Sequence, residues 1–176
     1  MKRQKIAAFV LALALLAAAW TVPASAAYSM PYYIEVDISS QIVTVYETET
    51  KDIARQMLCS TGTNGYTPKG EFLLPGRVKD NERQPWYWID MFQRYVKYAT
   101  RIRGQILFHS LPYTRKSLQY IDRQALNEFG QPASHGCIRL RWQDAAFISE
   151  NCLPGTLVRI EEGHDPRRQA FEKVLK

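Results

Sequence analysis

The sequence predicts a mainly β domain, a β-sandwich or squashed barrel of mixed strands with one short helix late in the chain. Three observations carry this. Apolar and β-branched residues recur at a period of two through much of residues 34–108, glycine-bearing breaks separate these runs, and helical spacing is clear only once, at 142–151. With 176 residues, 46% hydrophobic and 23% charged, the chain has the material for one globular domain, which excludes both a disordered chain and a multidomain machine.

Taken in order, Ile34-Glu35-Val36-Asp37-Ile38 alternates apolar and acidic residues, Ser39-Ser40-Gln41 breaks it, and Ile42-Val43-Thr44-Val45-Tyr46 is rich in β-branched residues. This is a hairpin. Residues 54–60 read as a strand ended by Thr61-Gly62-Thr63-Asn64-Gly65, whose Gly and Asn supply a tight loop, and Thr67-Pro68-Lys69-Gly70 introduces a strand at 71–74. Further strands are predicted at 86–91, 95–102 and 105–108, with Gly104 turning the chain between the last two. Ala145, Ile148 and Cys152 recur at helical spacing until Leu153-Pro154-Gly155 stops the helix. A strand at 156–160 follows, and the charged tail can form a short terminal helix beginning at Asp165-Pro166.

Residues 1–26 carry the three parts of a secretory signal. Basic Lys2-Arg3-Gln4-Lys5 precedes an unbroken apolar run of 15 residues, 6–20, and the small residues Ala24 and Ala26 fit a cleavage site before Ala27. A bilayer-spanning helix needs about 20 apolar residues, so cleavage is favoured over a retained anchor. The expected organisation is therefore a signal at 1–26 and one domain at 27–176, with a core at about 33–160 and a charged tail at 161–176. Removing Lys2, Arg3 and Lys5 lowers the formal charge from +6 to +3, too little to argue for a nucleic-acid partner. The domain is expected to work outside the cytoplasm, in the periplasm or cell wall, as a monomer.

An exported chain with three cysteines, Cys59, Cys137 and Cys152, has an odd one over. A Cys59–Cys152 bridge would leave Cys137 spare, and two buried reduced thiols are an equal alternative. The neighbours of Cys137 single it out: Ser134-His135-Gly136-Cys137-Ile138-Arg139, with His109 upstream at the end of a predicted strand. A thiol attacks only as thiolate, and at neutral pH an unperturbed thiol is only a few per cent ionised. A histidine can take that proton and return it to a leaving amine. Both His109 and His135 are candidates: the first needs the fold to bring it close, while the second lies on the same face of an extended segment. Gly136 suggests a sharp turn with exposed amides able to hold an oxyanion. Zinc is disfavoured, because His109, His135 and Cys137 lack a fourth ligand at a familiar spacing. His164 reads as a solvated tail residue.

At these residues the chain resembles the L,D-transpeptidase catalytic-domain family, bacterial enzymes that remodel peptidoglycan. The segment 134–140, Ser-His-Gly-Cys-Ile-Arg-Leu, is similar to that family's signature; Ser60-Thr61-Gly62 with Thr67-Pro68-Lys69-Gly70, Asp144-Ala145, and Gly155-Thr156-Leu157-Val158 resemble its flanking blocks, so the likeness runs from about 33 to 160. The resemblance implies a peptidoglycan stem tetrapeptide as substrate, Cys137 as nucleophile, His109 as proton donor and acceptor, the Ser110 carbonyl as its orienter, and the amides of His135, Gly136 and Cys137 as an oxyanion hole. It implies no metal and no organic cofactor. Two departures stand out: a long 110–133 stretch, read as a lid or cleft wall with an amphipathic 116–129, and Arg139 where many members carry Asn, a residue able to bind a stem-peptide carboxylate. Ser134, Tyr98, Arg101, Tyr113 and the Trp86-Tyr87-Trp88 cluster are further cleft candidates. Two rival readings remain: an L,D-carboxypeptidase in which water resolves the thioester, and a non-catalytic wall-binding module, for which Cys137 would be an ordinary thiol.

Overall fold

A computed structural model describes residues 30–77 and 86–163. The predicted signal and terminal helix lie outside the described residues. Strands β1 (Tyr32–Asp37) and β2 (Ile42–Glu47) form the expected hairpin, with Ile34 opposite Val45 and Val36 opposite Val43. Its turn is built by Asp37, whose carboxylate accepts the Ser39 N–H and the Ser39 and Ser40 hydroxyls at 2.7–3.0 Å. Strand β3 (Ile53–Leu58) pairs with β2, β4 is Gly70–Leu73, and the last strand, β11 (Leu157–Glu161), returns parallel to β1 and antiparallel to β4. This makes a five-stranded sheet in the order β3-β2-β1-β11-β4.

The second sheet, in the order β10-β9-β8-β5, comprises Gly76–Arg77 (β5), Thr100–Arg103 (β8), Ile106–Ser110 (β9) and Ile138–Leu140 (β10). Its apolar face (Phe108, Ile138, Leu140) meets Ile34, Val36, Val43 and Val45 of the first sheet in one core, which Ala145 and Ile148 of helix α2 (Trp142–Asn151) complete. Among the described residues neither sheet closes into a barrel; the architecture is mainly β and open. A separate hairpin of β6 (Trp86–Ile89) and β7 (Arg94–Lys97) is turned by a 3-10 segment, Asp90–Phe92.

One expectation needs correction. The single strand expected at 95–102 is two, in different sheets, because Tyr98 has φ +53° and breaks the pleat between β7 and β8. The short strands β5 and β10 carry too few residues to show a period. Of the two alternatives for Cys59 and Cys152, the structure has the second: both thiols are buried and unbridged in the same core. The 110–133 stretch is neither one helix nor a loose loop: it holds a 3-10 turn, Leu118–Tyr120, and a five-residue helix α1 (Arg123–Asn127), N-capped by Asp122, which accepts the Gln124 and Ala125 N–H groups.

Candidate active site

The parallel pairing of β9 with β10 sets Arg139 opposite His109. Side chains alternate along a strand, so His109 and Arg139 share one face while Phe108, Ile138 and Leu140 take the core face. Cys137, two residues before Arg139, falls on the His109 face at the mouth of β10. His109, Ser134, His135, Cys137 and Arg139 all line one cleft of about 610 Å³. Residues 28 apart in sequence thus line one cleft, through the β9–β10 register and the loop that precedes β10.

His109 is 3% exposed, and its Nδ1 lies 2.6 Å from the Ser110 carbonyl oxygen. A carbonyl only accepts, so Nδ1 carries the proton and Nε2 keeps its lone pair. Burial pushes the His109 pKa down to about 4, against the pull of the Ser110 carbonyl and with help from the Arg139 charge, so the ring is neutral at pH 7. The Ser110 hydroxyl is committed elsewhere, accepting the Lys97 N–H at 2.8 Å and donating to Leu111 O at 2.7 Å.

Burial pushes the Cys137 thiol up, and this outweighs the Leu107 N–H and the Arg139 and Arg101 charges, all of which favour thiolate. The thiol donates to the Gln105 carbonyl at 3.5 Å. At rest the sulfur is thus protonated, in a cleft that also holds a neutral imidazole. The thiolate that the sequence argument required is not preformed.

The loop before Cys137 is braced from three sides. Ser134 Oγ accepts the Gly136 N–H at 3.0 Å and donates to Cys137 O at 2.5 Å, so its hydroxyl closes the turn and the Gly136 amide is already engaged. Gly136 has φ +121°, and a Cβ there would lie 2.9 Å from the Tyr66 carbonyl oxygen. Thr67 Oγ1 accepts the Gly62 N–H at 2.7 Å and donates to Gly136 O at 2.9 Å. Gly62 itself rests on Gly136, for a Cβ on it would come within 2.9 Å of the Gly136 backbone. Thr61 O receives the Ala133 and Ser134 N–H groups, and Ser60 exchanges backbone hydrogen bonds of 2.9 Å with Arg139. The Ser60-Thr61-Gly62 and Thr67-Pro68 blocks are therefore scaffolding for the cysteine loop; nothing in composition or period assigns them that task.

Several expected cleft residues stand elsewhere. Tyr98 packs on the core, and with Trp86 and Trp142 it surrounds the Lys97 ammonium at 4.9–5.2 Å from the ring centroids. Tyr113 is buried, meets Trp86 edge-on at 5.2 Å and pairs its backbone with Tyr95. Arg101 donates to the Gly104 carbonyl at the β8–β9 turn, outside the cleft, though its charge is felt at Cys137. Tyr87 and Trp88 do line the cleft. The walls also include residues the sequence did not mark. The Phe92 ring packs 4.7 Å from the His135 ring at the rim, and Arg94 Nε bonds Asp122 Oδ2 at 2.8 Å, tying the β6–β7 hairpin to α1. Asp122 and Glu128 add acidic groups to the α1 side. Among the described residues no group of three His, Cys, Asp or Glu side chains is arranged to hold a metal ion, and no helix is long and apolar enough to cross a membrane.

The YkuD family model, the L,D-transpeptidase catalytic domain, matches residues 31–160. The chain is 30% identical over 149 residues to "Putative L,D-transpeptidase YciB" of Bacillus subtilis (strain 168), covering 80% of this chain and 73% of that one. Among solved structures it is similar to a fused Zn-dependent amidase, peptidase and peptidoglycan-binding protein of Clostridium acetobutylicum (26% identity, TM-score 0.55, 74% of this chain and 52% of that one). It also shares the fold of an L,D-transpeptidase from Mycobacterium smegmatis (20% identity, TM-score 0.58, 74% and 58%). The chain thus spans little more than half the length of these solved chains.

Proposed function

The chain belongs to the L,D-transpeptidase catalytic-domain family, and from that premise we propose that it is an exported cysteine acyltransferase acting on peptidoglycan stem tetrapeptides. The observation that carries the reading is the single cleft shared by the neutral His109 base and the Cys137 thiol. Substrate displaces the Gln105 carbonyl from the thiol, and the Sγ proton passes to His109 Nε2 as sulfur bonds to the carbonyl carbon of the third stem residue. The resulting oxyanion takes hydrogen bonds from the Cys137 and His135 amides; the Gly136 amide, held by Ser134, serves the turn instead. The C–N bond to the terminal D-alanine breaks as His109 returns its proton to the leaving amine. An amine of a neighbouring stem then attacks the thioester, gives its proton to His109, and the sulfur leaves and is reprotonated. The Ser110 carbonyl keeps Nδ1 protonated throughout.

Purified protein incubated with disaccharide-tetrapeptide should release D-alanine and yield cross-linked dimers by mass spectrometry, and Cys137→Ala should end both. Release that survives the substitution rejects Cys137 as nucleophile. Free tripeptide without dimers identifies water as the acceptor and makes the protein an L,D-carboxypeptidase.

A further inference from the structure

Gln41 ends the polar break between the first two strands, and neither it nor its partner Thr61 lines the cleft. It closes the β1–β2 turn, is 3% exposed and has φ +56°. A left-handed backbone favours glycine and costs any residue that carries a Cβ. Gln41 keeps a side chain there, and both ends of its amide are used. Nε2 donates to Ile38 O at 2.6 Å and to Thr61 Oγ1 at 2.8 Å, while Oε1 accepts the Thr61 N–H at 2.8 Å. A backbone N–H only donates and a carbonyl only accepts, so these partners fix which end of the amide is which. The main-chain carbonyl of Gln41 accepts the Cys59 N–H at 2.8 Å.

Thr61 is fully buried and is held by Gln41 at both its N–H and its hydroxyl oxygen. Its carbonyl in turn receives the Ala133 and Ser134 N–H groups at 2.9 and 3.0 Å. Ser134 then grips the loop from within, accepting the Gly136 N–H and donating to Cys137 O. A continuous hydrogen-bonded chain therefore runs from a turn of the first sheet to the nucleophile at the mouth of β10. Its links at Gln41 and Thr61 are buried, so a lost bond strands a partner that water cannot satisfy, and the loop must shift to compensate.

We propose that Gln41 is a positioning residue for the cysteine loop, fixing segment 133–137 through Thr61 so that the Cys137 sulfur and the His135 and Cys137 amides stay where acyl transfer needs them. Its effect on rate rests on the transpeptidase reading; its hold on the loop does not. The effect falls on kcat more than on KM, because the chain ends at the groups that meet the reacting carbonyl and touches no wall of the cleft.

The test uses two variants of the full chain. Gln41→Gly relaxes the left-handed backbone, and Gln41→Met keeps the length of the side chain without its amide. Both should lower kcat for D-alanine release roughly 10-fold to 100-fold while KM stays within about twofold. The acid limb of the pH profile should not move, since none of these hydrogen bonds involves His109. Hydrogen exchange followed by mass spectrometry should quicken about 10-fold over 133–137 and stay slow over β9. Val43→Ala, a core substitution on β2, controls for lost stability: compared at equal distance below each Tm, it should keep the wild-type kcat. Thr61→Val removes only the hydroxyl acceptor and should give the same split to a smaller degree; it decides the matter if neither Gln41 variant folds. Wild-type kcat or unchanged exchange at 133–137 in the folded variants overturns the inference, as does an equal fall in kcat for Val43→Ala. If the wild type itself releases no D-alanine, the transpeptidase reading fails instead, and the exchange rates alone decide whether Gln41 holds the loop.

Discussion

A histidine kept neutral inside the fold makes stability depend on pH in a way that a single substitution should erase. The folded-state pKa of His109 is about 4, against an ordinary 6.5. Above pH 6.5 neither the folded nor the unfolded chain protonates this ring. Between 6.5 and 4 the unfolded chain binds a proton that the folded one refuses, so stability falls as pH falls, and below 4 the loss levels off. Those two pKa values give a loss of about 2 kcal/mol at pH 5 and about 3 kcal/mol at pH 4. Asp37 and Asp122, whose carboxyls their hydrogen-bond donors hold below the usual range, lose stability only as pH falls through and below 3.8, so a comparison of pH 7 with pH 5 avoids both. Urea unfolding followed by tryptophan fluorescence should show wild type losing about 2 kcal/mol more than His109→Gln over that interval. Equal losses in the two proteins would refute a ring buried in its neutral form.

Two other outcomes follow from the same geometry. The acid limb of kcat/KM for D-alanine release should fall near pH 4, as His109 takes up its proton, and a limb centred near 6.5 would reject this buried ring as the base. Thr67→Val keeps the shape of a side chain that is 1% exposed but strands the Gly62 N–H and the Gly136 carbonyl. Urea titration should show a cost of about 1–3 kcal/mol that Thr67→Ser largely restores, whereas a neutral Thr67→Val would deny the brace.

The sequence made legible what is local. Period-two runs located β1 to β4 and β9, helical spacing located α2, and the Ser-His-Gly-Cys segment with its upstream His marked the residues that share the cleft. What it hid is non-local. The left-handed backbone at Tyr98 splits an apolar run into strands of two sheets, and no pattern warns of it, because tyrosine is an ordinary strand residue. Tyr98 and Tyr113 drew notice as aromatic cleft candidates, yet a caged Lys97 and the underside of the β6–β7 hairpin are where those rings are used. Ser60 and Thr67 act through backbone groups about 70 residues away, partners that appear only once β10 lies beside β9.

Burial moves the two central groups in opposite directions, and this decides which measurement can distinguish an enzyme from a binding module. Burial raises the thiol while it lowers the imidazole to about 4, and this separation disfavours a standing thiolate–imidazolium pair. On the proposed mechanism, proton transfer is favourable only together with formation of the S–C bond, when the oxyanion would gain its amide donors and the imidazolium a negative neighbour. An isolated electrophile that brings no oxyanion to those amides meets a neutral thiol, so slow alkylation of Cys137 at neutral pH is the expected behaviour of the active protein and also that of an inert scaffold. Turnover of a tetrapeptide separates the two, because only a substrate placing its carbonyl oxygen at the amides lowers the cost of moving the proton.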